Sequence, residues 1–171
     1  MKPKTIVITL VVCLVLIVFF VWDSSKRGAS TASVQGADGE NISNSLLTAP
    51  ETLYDFRTIS MKNGNVNKDF QVANSTNKDI TVKTVITSCM CTKAFVVRPD
   101  NSTIGPFGMP GMSYVPPANE VIKAGESRVI RVVYDPNAHG PAGVGHIDRF
   151  VTLTDSSGGT IQFEIKALVT P

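Results

Sequence analysis

The pattern of hydrophobic and polar positions changes twice along this chain. From Thr5 to Trp22, sixteen of eighteen residues are apolar and none is charged. Residues 23–50 are rich in Ser, Gly, Ala, Asn and Asp and show no periodicity. After Pro50, apolar and polar residues alternate in short runs, which is typical of half-buried β-strands. The sequence therefore predicts a membrane segment at 1–22, a flexible linker at 23–50 and a β domain at 51–171.

The apolar segment is just long enough to cross a membrane as a helix. A bilayer core about 30 Å thick needs roughly 20 helical residues, and Trp22 lies where interfacial aromatic residues are common. Lys2 and Lys4 make the preceding flank the more positive one, which predicts a cytoplasmic N-terminus and an extracytoplasmic domain. The alternative is a cleaved signal peptide, whose apolar core usually has about 7–15 residues. The longer run, with no small-residue cleavage motif directly after it, favours a single-pass signal anchor.

The runs after Pro50 predict seven or eight strands and no helix. Asn63-Gly64 predicts a hairpin turn because both residues tolerate positive φ. Further turn signals lie at residues 74–77 and 155–159. The predicted strands cover residues 53–61, 66–73, 80–87, 95–98, 120–123, 127–134, 146–154 and 160–169. This spacing is typical of an immunoglobulin-like antiparallel sandwich, and a cupredoxin-type barrel-sandwich is the nearest alternative.

Composition narrows the range of functions. The net charge of +2 disappears once the flanks of the apolar segment are set aside, since residues 28–171 carry 12 basic and 13 acidic side chains. A near-neutral domain has no strong basic field, so nucleic acid is not expected as a partner. Three cysteines are too few for a disulfide-dense mini-protein. The sequence contains neither a nucleophile elbow nor a Cys-x-x-Cys motif, and it indicates no enzyme.

Cys89 and Cys91 form the sharpest local motif, at the end of a predicted strand. In an extended segment their side chains would point to the same side. Two thiolates arranged in this way form a soft chelate, suited to Cu(I), zinc or an iron–sulfur cluster. Two alternatives remain open. The cysteines could pack as small hydrophobic residues, or they could form a reducible disulfide within the motif.

Two Gly-rich loops carry the other candidate ligands. Met109 and Met112 lie in the Gly- and Pro-rich loop at 104–117, and thioethers prefer Cu(I). His139 and His146 bracket the second loop, and histidine is the commonest metal ligand. The alternative roles are a methionine cover over the open end of the sandwich and hydrogen-bonded surface histidines. The candidate metal-site residues are therefore Cys89, Cys91, Met109, Met112, His139 and His146.

Five short motifs follow one another in a specific order. They are Tyr54–Ile59, Lys68–Ser75, Ser88–Thr92, Ile122–Ser127 and Val132–Asp135. Together they resemble the bacterial "domain of unknown function 1573" family over roughly residues 52–169. The resemblance implies an exported or membrane-tethered immunoglobulin-like sandwich, with Cys89 and Cys91 as the family's cysteine pair and no established activity. Arg57 and Met90 stand where the family pattern has glycine, and the bulk of Met90 argues against a tight backbone turn between the cysteines.

Three functions follow in order of preference. The first is a membrane-tethered, extracytoplasmic binding or assembly module without catalysis, which meets a protein partner on a sheet edge or a loop. The second is a Cu(I) site built from the cysteine pair with Met109, Met112 or a histidine. It requires the loops to lie at the same end of the sandwich as Cys89. The third is a thiol–disulfide role for the pair, which requires a reactive, accessible sulfur.

Overall fold

The chain forms a two-layer sandwich of nine β-strands in the computed structural model, which describes residues 45–112 and 114–171. The predicted anchor at 1–22 lies outside the described residues, as does most of the predicted linker. Within residues 45–112 and 114–171, no helix has the length and apolar character needed to cross a membrane. The prediction of an all-β sandwich is confirmed, with nine strands in place of seven or eight.

The strands are distributed between a five-stranded and a four-stranded sheet. The first sheet has the order β1-β9-β8-β3-β6 and the second the order β2-β7-β4-β5. All pairs are antiparallel except β1 with β9, which is parallel. The strands are β1 Leu53–Ser60, β2 Val66–Ala73, β3 Ile80–Thr87, β4 Thr92–Val97, β5 Thr103–Phe107, β6 Glu120–Ile122, β7 Ser127–Tyr134, β8 Gly145–Asp155 and β9 Thr160–Thr170. Short 3-10 turns cover Met61–Asn63 and Gly140–Gly143.

The core lies between the two sheets and is built by alternation along each strand. In β9, Ile161, Phe163 and Ile165 are buried, as their period-two spacing predicts. Phe163 stacks on Phe70 of the opposite sheet, with ring centroids 4.8 Å apart. In β3 the buried positions shift from even to odd numbers at a bulge, which keeps Val85 in the core.

Two sequence predictions about turns and loops are wrong. Asn63-Gly64 does not close a hairpin, because β1 and β2 belong to different sheets and the chain crosses the sandwich there. The predicted loop at 104–117 begins inside strand β5. Its Pro106 is tolerated because β5 is an edge strand that pairs only with β4.

The sandwich also includes residues that the sequence pattern places in the linker. Leu47 is buried in the core, with 1% of its surface exposed. Thr48 bridges Ala73 of β2, while the Ser45 hydroxyl and the Leu46 amide both donate to Asp155. One buried leucine and these hydrogen bonds fix residues that composition alone assigns to a flexible segment.

A disulfide between two crossing connections

The candidate functional site lies at one end of the sandwich, where two neighbouring connections each run from one sheet to the other. One is the β3–β4 turn with Cys89 and Cys91, and the other is the β7–β8 loop with His139. The cysteine turn ends at Thr92 of β4, the histidine loop begins at Tyr134 of β7, and these two residues pair, so the two connections are adjacent. The Asp135 amide then donates to the Cys91 carbonyl at 2.9 Å, which fixes the beginning of the histidine loop against the cysteine turn.

Cys89 and Cys91 are joined by a disulfide, with their Cα atoms 5.2 Å apart. The expectation that both lie in an extended segment is wrong. They flank a turn closed by a hydrogen bond from the Thr92 amide to the Cys89 carbonyl. Met90 forms the exposed tip of this turn and does so without a positive φ. The inference that its bulk argues against a tight turn is therefore also wrong.

The two sulfurs have different surroundings. Cys91 is buried, and its sulfur accepts a hydrogen bond from Nε of Arg149 at 3.2 Å. Cys89 is half-buried, and its sulfur lies 3.2 Å from Nε2 of His139. The Cys91 amide also donates to the Cys89 sulfur, at 3.3 Å. One sulfur thus faces solvent beside an imidazole, while the other faces the interior beside a guanidinium group.

A buried tyrosine completes the electrostatics around Arg149. Burial raises the pKa of Tyr134 above its ordinary value of 10.0, and the nearby Arg149 charge opposes this only in part. The phenol therefore stays neutral over the physiological pH range. It does not compete with the Cys91 sulfur for the positive charge of Arg149.

The structure brings together three of the six predicted metal-site residues. The ligand atoms of Cys89, Cys91 and His139 all lie within 4.8 Å of one another. His146 is not part of this cluster. It is exposed on β8 and lines a surface pocket with Asp148 and Lys166.

The two methionines lie in a loop that reaches the same end of the sandwich. The Gly108 carbonyl accepts a hydrogen bond from the Thr87 amide, two residues before Cys89. Met109 is half-buried and Met112 is exposed. The loop thus meets the sequence-based requirement that it lie beside the cysteine turn.

Arg149 is the site residue that sequence reasoning misses. Along β8, Ile147, Val151 and Leu153 are buried. Arg149 falls in the same odd-numbered series, so strand alternation alone directs it toward the interior. Arg149 itself is half-buried, and the part of its guanidinium group that leaves solvent needs a partner to accept its hydrogen bonds. That signal was available in the sequence, although nothing in it identifies the Cys91 sulfur as the partner.

No protein-family model matches the chain, and no curated protein matches it. Among solved structures, it is similar to a protein of unknown function from Porphyromonas gingivalis W83, with 14% identity and a TM-score of 0.53 over 71% of this chain and 46% of that one. A family 123 glycoside hydrolase from Clostridium perfringens gives 7% identity and a TM-score of 0.50 over 69% of this chain and 22% of that one. A PapD-like domain of human CEP192 gives 10% identity and a TM-score of 0.45 over 82% and 96%. The chain spans less than half of each of the two bacterial proteins, and its likeness to them shows the sandwich fold alone.

Proposed function

We propose that this chain is a membrane-tethered, extracytoplasmic sandwich module that exchanges its Cys89–Cys91 disulfide with thiols of a protein partner. The observation that carries the proposal is the asymmetric pair of sulfurs. The accessible sulfur has an imidazole beside it, and the buried sulfur has a guanidinium group beside it. Both groups can act on the thiolates that form when the disulfide opens.

The different surroundings of the two sulfurs support a different step for each. A thiolate of the partner attacks the half-exposed Cys89 sulfur and forms a mixed disulfide. The Cys89–Cys91 bond breaks, and its electron pair goes to the Cys91 sulfur as a thiolate. The Nε–H of Arg149 stabilises that charge in the interior. A better-stabilised leaving thiolate departs faster.

The second half of the exchange releases the partner. A second thiolate of the partner attacks its own sulfur in the mixed disulfide, which gives the partner a disulfide and frees Cys89. His139 lies within hydrogen-bonding distance of the Cys89 sulfur, where it can transfer a proton to or from this sulfur. The partner dithiol is oxidised by two electrons, and the cysteine pair is reduced by the same two.

The surroundings of the disulfide support contact with a protein substrate. Met90 at the tip of the turn is 48% exposed, and Met112 in the neighbouring loop is 59% exposed. Flexible thioether side chains adapt to apolar segments of varied shape. This retains the binding-module function preferred from the sequence and proposes the loops at the disulfide end, in place of a sheet edge, as its partner surface.

The location outside the cytoplasm rests on two observations. Disulfides persist mainly in extracytoplasmic compartments, because cytosolic thiol systems reduce them. The apolar segment at 1–22, with its positive leading flank, supplies the tether. Membership of the "domain of unknown function 1573" family is part of the same proposal. It is supported by the ordered motifs and by the positive φ of 61° at Arg57, where the family pattern has glycine.

The test is stepwise reduction of the native full-length chain. In Cys91→Ser the free Cys89 should form a mixed disulfide with oxidised glutathione, whereas in Cys89→Ser the buried Cys91 should remain unmodified under the same conditions. Arg149→Gln should slow reduction of the wild-type disulfide about fivefold. A charged hydrogen bond is worth about 2 kcal/mol, and roughly half of that is expressed in the exchange rate. Rates are measured by quenching with a maleimide and counting the added mass.

The matched control for Arg149→Gln is Arg131→Gln, an arginine on β7 bound to Asp69 and distant from the sulfurs in the strand register. It should leave the reduction rate unchanged. Met90→Ser should slow exchange with a reduced protein substrate and not with a small dithiol. The proposal is wrong if the native disulfide resists a dithiol reductant and opens only after unfolding in urea, because the bridge is then structural.

A further inference from the structure

Opening the disulfide leaves three converging ligand atoms at one end of the sandwich. They are Sγ of Cys89, Sγ of Cys91 and Nε2 of His139, all within 4.8 Å of one another. Metal–sulfur bonds are about 2.3 Å long and metal–imidazole bonds about 2.0–2.1 Å. Ligand atoms that share one ion at these bond lengths stand roughly 3.5–4 Å apart. Once the bond is broken, the sulfurs must move apart to this separation, and the Cα atoms, 5.2 Å apart, leave room for side-chain rotation to do so.

We propose that the reduced chain binds one Cu(I) ion through these three atoms. The inference rests on the proposed exchange function, because only the reduced pair offers thiolates and the disulfide form has none. The partner dithiol that opens the bridge supplies two electrons. The two thiols then give up their protons to solvent as they bind the ion, so metal binding and disulfide formation exclude each other.

The donor set suits a soft, monovalent ion. Two thiolates and one Cu(I) leave a single negative charge, which the Arg149 guanidinium beside the Cys91 sulfur neutralises. Two soft thiolates with one imidazole in a three-coordinate arrangement also suit Cu(I), whereas structural zinc takes four protein ligands.

The histidine loop is built to hold the imidazole at this position. The Asp135 amide anchors the loop to the Cys91 carbonyl, and the Asn137 amide donates to the Asp135 carboxylate at 2.8 Å. Asn137 also reaches the Met61 carbonyl at 2.9 Å, which ties the loop to the β1–β2 connection. A Cβ at Gly143 would lie 3.3 Å from the Pro136 carbonyl oxygen, so this part of the loop packs closely on itself. The site requires neither methionine.

The test is an anaerobic titration of the full-length chain with Cu(I), using bicinchoninate as the competing chromophoric chelator. After reduction with a phosphine, the wild-type chain should bind one Cu(I), and the disulfide form should bind none. Cys89→Ser should abolish binding. His139→Ala keeps both thiolates and should weaken binding by about tenfold or more, on the scale of a lost metal-site interaction. His146→Ala, an exposed histidine outside the cluster, is the matched control and should bind as the wild type does.

Thiol counting in the same samples separates this inference from the exchange function. Two free thiols with no Cu(I) bound would overturn the metal site and leave the exchange function standing. Resistance to a dithiol, with Cu(I) bound after phosphine treatment, would overturn the exchange function alone. Equal affinities of His139→Ala and wild type would remove His139 from the ligand set, and tighter binding of Zn²⁺ than of Cu(I) would overturn the choice of ion. X-ray absorption of the loaded chain should show two sulfur ligands and one nitrogen ligand.

Discussion

Arg57 shows how one residue can carry local backbone strain. Its φ is 61°, a left-handed conformation that costs a non-glycine residue about 1–2 kcal/mol. A hydrogen bond from the Arg57 amide to the Asp55 carboxylate, at 2.8 Å, helps to hold the backbone there. Glycine is the residue that adopts such a conformation most readily.

We therefore expect Arg57→Gly to stabilise the domain by about 0.5–1 kcal/mol. Relief of the left-handed strain exceeds the extra entropy that glycine loses on folding, roughly 0.5–1 kcal/mol. The measurement is the urea midpoint followed by circular dichroism. Arg57→Ala is the control and should give no such gain, because alanine keeps its Cβ and the exposed ion pair with Asp55, 3.6 Å long, contributes little. A lower midpoint for Arg57→Gly than for Arg57→Ala would contradict this account.

At the site, the sequence predicts residue types better than it predicts their grouping. Cys89, Cys91 and His139 are all identifiable because thiols and imidazoles are rare in this chain. The sequence does not indicate which of the two histidines lies beside the cysteines, since His139 and His146 stand at the two ends of the same Gly-rich loop. The placement of His139 depends on the hydrogen bond between Asp135 and Cys91, which sets the loop against the turn only after β4 and β7 have paired.

At the scale of elements, the strands were largely predictable and their connections were not. The bounds of β2, β3 and β7 match the alternating runs, because one face of each strand must be apolar. The sequence pattern does not reveal β5, because Gly105 and Pro106 are residues typical of a loop. Gly105 is required there for a packing reason, since a Cβ at this position would lie 2.9 Å from the Ala94 carbonyl. That contact exists only once β5 lies against β4.

Charged side chains also connect elements of the two sheets. Glu120 of β6 is buried and accepts from Nε of Arg128 on β7 at 2.7 Å and from Nε of Arg98 after β4 at 2.9 Å. Arg128 donates further to the Val121 carbonyl. The buried Glu120 carboxylate is tolerated because both arginines pair with it.

Asp155 connects the β8–β9 turn to the start of the domain and makes stability depend on pH. Burial alone would raise the pKa of this carboxyl, but hydrogen bonds from Ser157, Ser45 and the Leu46 amide lower it below the ordinary 3.8. A lowered pKa means that the folded state favours the carboxylate. The contribution is therefore complete above pH 3.8 and is lost as the pH falls through the lowered value.

Asp155→Asn should reduce the free energy of unfolding at pH 7 by about 2 kcal/mol, the scale of hydrogen bonds to a charged group. The free energy of unfolding of this variant should also fall less steeply below about pH 4 than that of the wild type, whose carboxylate takes up a proton there. Urea unfolding at a series of pH values measures both effects. Ser45→Ala, which removes one of the donors, should fall between the two proteins. A wild-type profile as flat as that of Asp155→Asn would show that this carboxyl does not carry the pH dependence.

At the scale of the whole molecule, three connections between the sheets gather at the disulfide end. The β1–β2, β3–β4 and β7–β8 segments all cross there, and Asn137 and Asp135 bond them to one another. Local sequence cannot reveal this gathering, because it follows from the order in which strands are assigned to sheets. The two sulfurs thus lie on a base formed by both layers, which suits the proposed module that presents one end to a partner.

The proposed role also requires that this end face an oxidising compartment, which depends on the apolar segment at 1–22. Replacing Val12 and Leu16 with arginine should abolish membrane insertion, since each arginine near the centre of a span costs about 2.5–3.5 kcal/mol. The double variant should appear in the soluble fraction after carbonate extraction, with Cys89 and Cys91 as free thiols because the domain stays in the reducing cytoplasm. Exchanging the same two positions, as Val12→Leu with Leu16→Val, keeps the hydropathy and should leave both the membrane fraction and the disulfide unchanged. If the soluble double variant still carries the disulfide, the disulfide does not depend on the membrane segment, and this would contradict the proposed location.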